Sequence, residues 1–224
     1  MQFYKLTNNS IYSRGWTWAW SLIPRLDTIS SVCDVCHIGR LYPGRYPERS
    51  LGVAVEGGTK YPDVLGCGSY PLLIVSAQVI ADWKKNDVSG YREFLLTVTK
   101  SQGKKIEVVT PPQYFHIEVS GRCLLDLEAM GVDITYQCPK CGYTRKNPTN
   151  GFPFIVRQET WDGSDLFISE LFPQSVFCTQ KVFDLAASNR RTNFCFKQPG
   201  DNWMSNEGCI NYMPTKSRRL TQKP

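Results

Sequence analysis

Cys33-Asp34-Val35-Cys36 and Cys138-Pro139-Lys140-Cys141-Gly142 are the two stretches around which this sequence is organised. Neither is long enough to fold alone. Together the two C-x-x-C clips offer four thiolates, the number a closed tetrahedral zinc site takes, and the two-residue spacing lets both sulfurs of a clip reach one ion at about 2.3 Å. Cys33, Cys36, Cys138 and Cys141 are therefore the candidate metal ligands. In the second clip Pro139 stiffens the turn, and Gly142 can take the positive φ that follows a zinc knuckle. The first clip has His37 at that place, with Gly39 two residues later, so His37 is an alternative ligand. Cys67, followed by Gly68, is another.

About a hundred residues separate the clips, whereas a self-contained zinc ribbon keeps them within a few tens. One ion shared by all four cysteines would tie the start of the chain to its second half. Closing so long a loop restricts the unfolded chain, which makes the expected role structural. A catalytic zinc would keep a coordination position open for water.

The composition suits a folded protein. The chain has 224 residues, 42% of them hydrophobic, with six Trp, eleven Tyr and eleven Phe, which excludes a disordered class. It holds no run of eighteen apolar residues, and Met1-Gln2-Phe3-Tyr4-Lys5-Leu6 lacks the apolar stretch of a signal peptide, so a soluble, cytoplasmic protein without a membrane partner is expected. Nine cysteines with two clips in such a chain favour metal over disulfides. Cys123, Cys178, Cys195 and Cys209, like Cys67, read as small buried side chains. Part of the net charge of +6 is local, because Lys216, Arg218, Arg219 and Lys223 lie in a terminus with no acidic residue after Glu207. The rest is nearly neutral and shows no basic stripe interleaved with aromatics, which speaks against nucleic acid as the partner.

Along the chain, residues 2–6 read as a strand, and Trp16, Trp18 and Trp20 alternate as they would on one face of another. Residues 40–70 are rich in Gly, Pro and Tyr and read as a long irregular loop. Ser76 is placed to cap a helix through 82, with Val75, Val79, Ile80 and Trp83 on one side. Strands are expected at 94–99, 106–110 and 114–120, the last with His116 and Glu118 on its less apolar face. A turn or short helix at 124–130 leads into 132–137 and the second clip. Residues 152–157 read as a strand, Asp162 and Asp165 as a turn and a helix start, 175–188 as a helix capped by Ser175, and 193–197 as a last strand. The fold class is thus α+β, a mainly antiparallel sheet with a few helices, one domain over 1–198 joined by a structural zinc knuckle pair, and an irregular basic tail over 199–224.

No catalytic apparatus is visible. His116-Ile117-Glu118 with Cys138-x-x-Cys141 is similar to the H-x-E…P-C-x-x-C pattern of zinc deaminases, but Pro139 lies inside the clip and Cys33 and Cys36 would have no role. There is no glycine-rich phosphate loop and no nucleophile elbow, and two histidines leave few bases for a cysteine nucleophile. A binding protein is the better reading, not an enzyme. Met1 to Leu6, the first clip, Tyr61-Pro62-Asp63, the second clip, Gly163-Ser164-Asp165-Leu166-Phe167 and Thr192-Asn193-Phe194 occur in an order that resembles the double-CXXCG motif family, best represented among myxobacteria. That resemblance implies an immunity protein of a polymorphic or contact-dependent toxin system, whose partner is a cognate toxin protein. The aromatics at 16–20 and the stretch 40–70 are candidate contacts. A zinc-dependent nucleic-acid-binding regulator is the alternative, and a zinc deaminase a third. Immunity proteins against nucleases tend to be acidic, so a nearly neutral body points to another toxin target.

Overall fold

The computed structural model describes residues 1–8, 18–23, 31–37, 39–40, 52–56, 60–67, 73–100, 110–147, 154–199 and 210–211. Over the first half these form β1 (Phe3–Asn8), β2 (Trp18–Ile23), β3 (Ser31–Val32), β4 (Gly39–Arg40), β5 (Gly52–Glu56), β6 (Gly66–Cys67), β7 (Leu73–Ser76), α1 (Ala77–Lys85) and β8 (Tyr91–Lys100). Then follow β9 (Tyr114–Val119), β10 (Gly121–Leu125), β11 (Ile134–Gln137), β12 (Thr144–Lys146), β13 (Val156–Arg157), β14 (Leu166–Ser169), β15 (Phe172–Thr179), α2 (Gln180–Ser188), β16 (Phe194–Lys197) and β17 (Ile210–Asn211). The expected α+β class, rich in antiparallel pairing, is what these elements form.

One sheet has the order β13-β10-β14-β15-β1-β16-β17; its inner strands β14 and β16 are buried on both faces, while β10 exposes Arg122 and Leu124 on one. Phe3, Phe167 and Phe177 pack on one side with Cys123, Leu125 and Phe154. Tyr4, Leu6, Leu166, Ile168, Cys178 and Phe196 pack on the other. Two-sided burial is why β14 and β16 read as continuous apolar runs with no polar alternation.

The second sheet, β6-β2-β5-β8-β9-β7, closes on itself. A Val64–Val75 bridge and the bond from the Leu65 N–H to the Ile74 carbonyl at 3.0 Å join its two edges into a small six-stranded barrel. Ala19, Val53, Val55, Leu65, Ile74, Leu96 and Tyr114 form one cluster within it. Barrel diameter grows with strand number, and about eight strands are just wide enough to be filled by side chains. A six-stranded interior is narrower still and is packed solid by these residues. Outside the barrel, Val75, Ile117 and Val119 share a cluster with Val79, Ile80 and Trp83 of α1, Val182 and Ala186 of α2, and the Tyr4 face of the other sheet. That shared cluster fuses the two sheets.

Polar contacts lock the same junction. Asp63 accepts the Thr192 N–H at 2.8 Å and the Ser76 hydroxyl at 2.9 Å, while the Arg191 Nε–H reaches Asp82 at 2.7 Å. Ser76 does precede α1, but its hydroxyl serves Asp63 and makes no cap bond. At Gly121 an added Cβ would stand 2.2 Å from the Leu166 carbonyl oxygen, so only glycine lets β10 approach β14 this closely.

The structure corrects several sequence expectations. Residues 40–70 are not one irregular loop: β5 runs through the middle of the barrel, with Val53 and Val55 wholly buried, and β6 follows. Residues 175–179 belong to β15, so α2 starts at Gln180 after Thr179 rather than after Ser175. Asp165 precedes a strand, not a helix. The His116 face of β9, with Tyr114 and Glu118, is less apolar than the face of Phe115, Ile117 and Val119, yet it looks into the barrel and His116 is buried. Leu124 and Leu125 are strand, and the turn begins after them. Of the described residues 154–157, only Val156–Arg157 forms a strand, and 152–153 lie outside the described residues. Cys195 is buried as expected, but it is disulfide-bonded, its partner's side chain lying outside the described residues. Residues 106–109, Trp16 and the side chains of Trp18 and Trp20 also lie outside them. β17 pairs with β16 beyond residue 198.

Candidate metal centre

Each clip sits in the turn of a short antiparallel ribbon. β3 and β4 pair Ser31 with Arg40 and Val32 with Gly39, and Cys33 to Cys36 make the turn between them. β11 and β12 pair Gln137 with Thr144 and carry Cys138 to Cys141 in the same way. The two turns have matching backbones. The His37 N–H donates to the Cys33 carbonyl at 2.8 Å, and the Gly142 N–H donates to the Cys138 carbonyl at 2.8 Å. The φ angles are 54° at His37 and 66° at Gly142. His37 thus occupies the left-handed position that the sequence pattern reserves for glycine, at a steric cost its partner avoids.

The four sulfurs meet across the ribbons. All lie within 4.8 Å of one another, with Cys33 Sγ 3.9 Å from Cys138 Sγ and Cys36 Sγ 3.5 Å from Cys141 Sγ. A regular tetrahedron with metal–sulfur bonds of about 2.3 Å has edges of about 3.8 Å, so the spacing fits one ion at the centre. All four expected ligands are therefore together and close enough to hold a metal. His37 is exposed and outside the group, and Cys67 ends β6 with its side chain outside the described residues.

The surroundings favour thiolates. The Cys33 thiol is pulled down by the amide N–H of Cys36 and then that of Val35. The Cys138 thiol is pulled down to about 6, first by the Cys141 N–H and also by the Lys140 N–H. A thiol must lose its proton to bind a metal, so these amides lower the cost of loading. The Tyr136 hydroxyl hydrogen-bonds Cys138, and its own ionisation is pushed up mainly by that contact. Sequence reasoning missed Tyr136, although its place two residues before a clip in a strand is a readable signal. Lys140 Nζ meets Asp34 Oδ2 at 2.7 Å across the two turns, an exposed pair worth at most about 1 kcal/mol.

The second ribbon is anchored to the body by Met130 and Val132, which enter the Phe3 cluster, and by Lys146. That lysine donates to the Leu171 carbonyl and stands 3.8 Å from the Phe172 ring centroid. Burial lowers the Lys146 ammonium to about 8. Opposite in character is His116, which is 2% exposed against the Phe94 ring and held neutral by burial that lowers it to about 4. It is not part of the four-sulfur group, and Glu118 pairs with Arg92 at 2.6 Å. The deaminase-like pattern is thus not assembled around the clips. Among the described residues no helix is long and apolar enough to cross a membrane. No protein-family model matches the chain, and no curated protein matches it.

Proposed function

We propose that this chain is a non-catalytic binding protein, an immunity protein that neutralises a cognate bacterial toxin by occlusion, with a structural zinc ion on Cys33, Cys36, Cys138 and Cys141. The observation that carries the zinc reading is the set of four sulfurs on two facing turns with mutual distances suited to one ion. Four protein ligands fill a tetrahedral site and leave no position for a reacting water, which supports structure over catalysis. The toxin reading rests on the ordered motifs described above and on the absence of a catalytic pattern in the sequence. Such a protein acts in the cytoplasm of the toxin-producing cell and its siblings, as one continuous domain, and would bury on the order of 800 Å² on each partner.

Two measurements test this. Metal analysis with a free-thiol count should give one zinc per chain and four protected thiols; two or three protected thiols would sink the closed site. Co-expression with candidate bacterial toxin domains should identify one whose growth arrest this chain relieves and with which it elutes as a one-to-one complex on size exclusion. Failure to rescue and failure to bind, with the zinc present, would remove the immunity reading and leave the zinc reading intact. Binding to nucleic acid that weakens steeply with salt would instead favour the regulator.

A further inference from the structure

We propose that the four-sulfur cluster is an oxidation-sensitive staple, held by the metal when reduced and by two disulfides across the ribbons, Cys36–Cys141 and Cys33–Cys138, when a peroxide oxidises it. Only its reduced state rests on the zinc reading above.

Three observations lead there. The close sulfur contacts at 3.5 and 3.9 Å run between the clips, and a disulfide of about 2.05 Å needs each pair to close by less than about 2 Å once the ion has left. Cys33, Cys36 and Cys141 are partly exposed, so a small oxidant reaches them, while Cys123 and Cys178 are buried in the core. The chain also already carries a disulfide, at Cys195. Both cross-ribbon bonds would join the same two turns as the metal does. The oxidised protein therefore keeps its long-range link while losing the ion.

The chemistry balances with hydrogen peroxide as the oxidant. A ligand thiolate, for instance that of Cys141, attacks one peroxide oxygen, the O–O bond breaks, and a sulfenic acid and hydroxide result. The Cys36 thiolate then attacks the sulfenic sulfur, the S–S bond forms and the second hydroxide leaves. Each disulfide takes two electrons from two thiolates and gives them to one peroxide. For the whole site two peroxides and four protons yield two disulfides, four waters and a free zinc ion.

The full chain, purified with its metal, would be titrated with hydrogen peroxide beside a chromogenic zinc chelator and then digested with trypsin without reduction. Cleavage at Arg25, Arg40, Arg122, Lys140 and Arg145 places Cys33 and Cys36 in peptide 26–40, Cys138 in 123–140 and Cys141 in 141–145. The expected result is about two peroxides per zinc released, with 26–40 linked to both of the others and fragment ions placing the bonds on Cys138 and Cys141. Bonds within the clips, seen as an internally oxidised 26–40 and a separate pair of 123–140 with 141–145, would overturn the proposal; so would sulfinic acids without cross-links. A chain that never binds zinc yet forms the cross-ribbon pairs would refute the zinc reading and leave the oxidised staple standing. A zinc protein that oxidises within its clips would do the reverse.

Discussion

Replacing Cys141 with serine should lower stability far more than the loss of one small side chain can explain. The proposed zinc would join positions 105 residues apart, the separation of both cross-ribbon sulfur pairs. Treated as a cross-link, closure of a loop of about 100 residues restricts the unfolded chain by about 4.7 kcal/mol. For a domain of this size 1 kcal/mol moves the melting temperature by about 2–4 °C, so the expected drop is roughly 10–20 °C. The assay is thermal unfolding by calorimetry of the wild type and Cys141→Ser, each with and without a strong chelator. Chelation should reproduce most of the drop in the wild type and add little to the variant, because both remove the same link. A variant that has lost its zinc but melts within 2 °C of the wild type would refute the argument, since the two halves would then be held together without the staple.

Gly121→Ala should cost about 1–3 kcal/mol or more, read by urea unfolding, because its Cβ meets the Leu166 carbonyl at 2.2 Å and backbone cannot swing aside. His37→Gly should retain a full complement of zinc and lose no stability, whereas His37→Val should cost about 1–2 kcal/mol at a φ of 54°; zinc loss in the glycine variant would make His37 a ligand after all. His116 binds its proton more weakly when folded, at about 4 against 6.5, so the unfolded chain takes up more protons between those values and stability should fall as pH drops through that window. His116→Gln should remove roughly 3 kcal/mol of that acid sensitivity, measured as the wild type minus variant difference between pH 7 and pH 4; equal pH profiles would show the imidazole is not held neutral.

The clips were legible because C-x-x-C spacing suits metal ligation whatever the fold around it, and the structure does bring the four sulfurs together. The barrel was not. Gly52-Val53-Ala54-Val55-Glu56 is five residues long in glycine-rich surroundings, and its partners are β2 and, in parallel, β8, both remote in sequence. Period-two reading needs more length than that. Val176 and Phe177 misled for a different reason: a strand buried on both faces presents adjacent apolar residues, as a helix start does. The period-two pattern placed His116 with Glu118 on the less apolar face, but it does not show that this face looks into a barrel, whose interior accepts a neutral imidazole. The matching φ of His37 and Gly142 shows why the irregular first clip still works, since the turn is set by backbone bonds and tolerates a side chain at modest cost.

The place of β1 has a consequence for how the protein is made. It lies between β15 and β16 in its sheet, with Lys5 opposite both Phe177 and Lys197. During synthesis this strand has no neighbour to pair with until residues 172–197 have left the ribosome. At 5–20 residues per second, Cys33 and Cys36 likewise wait roughly 5–20 s for Cys138 and Cys141. Throughout that interval the nascent chain presents an unpaired strand and one of its two cysteine clips, so the demand on chaperones falls before folding can begin in earnest.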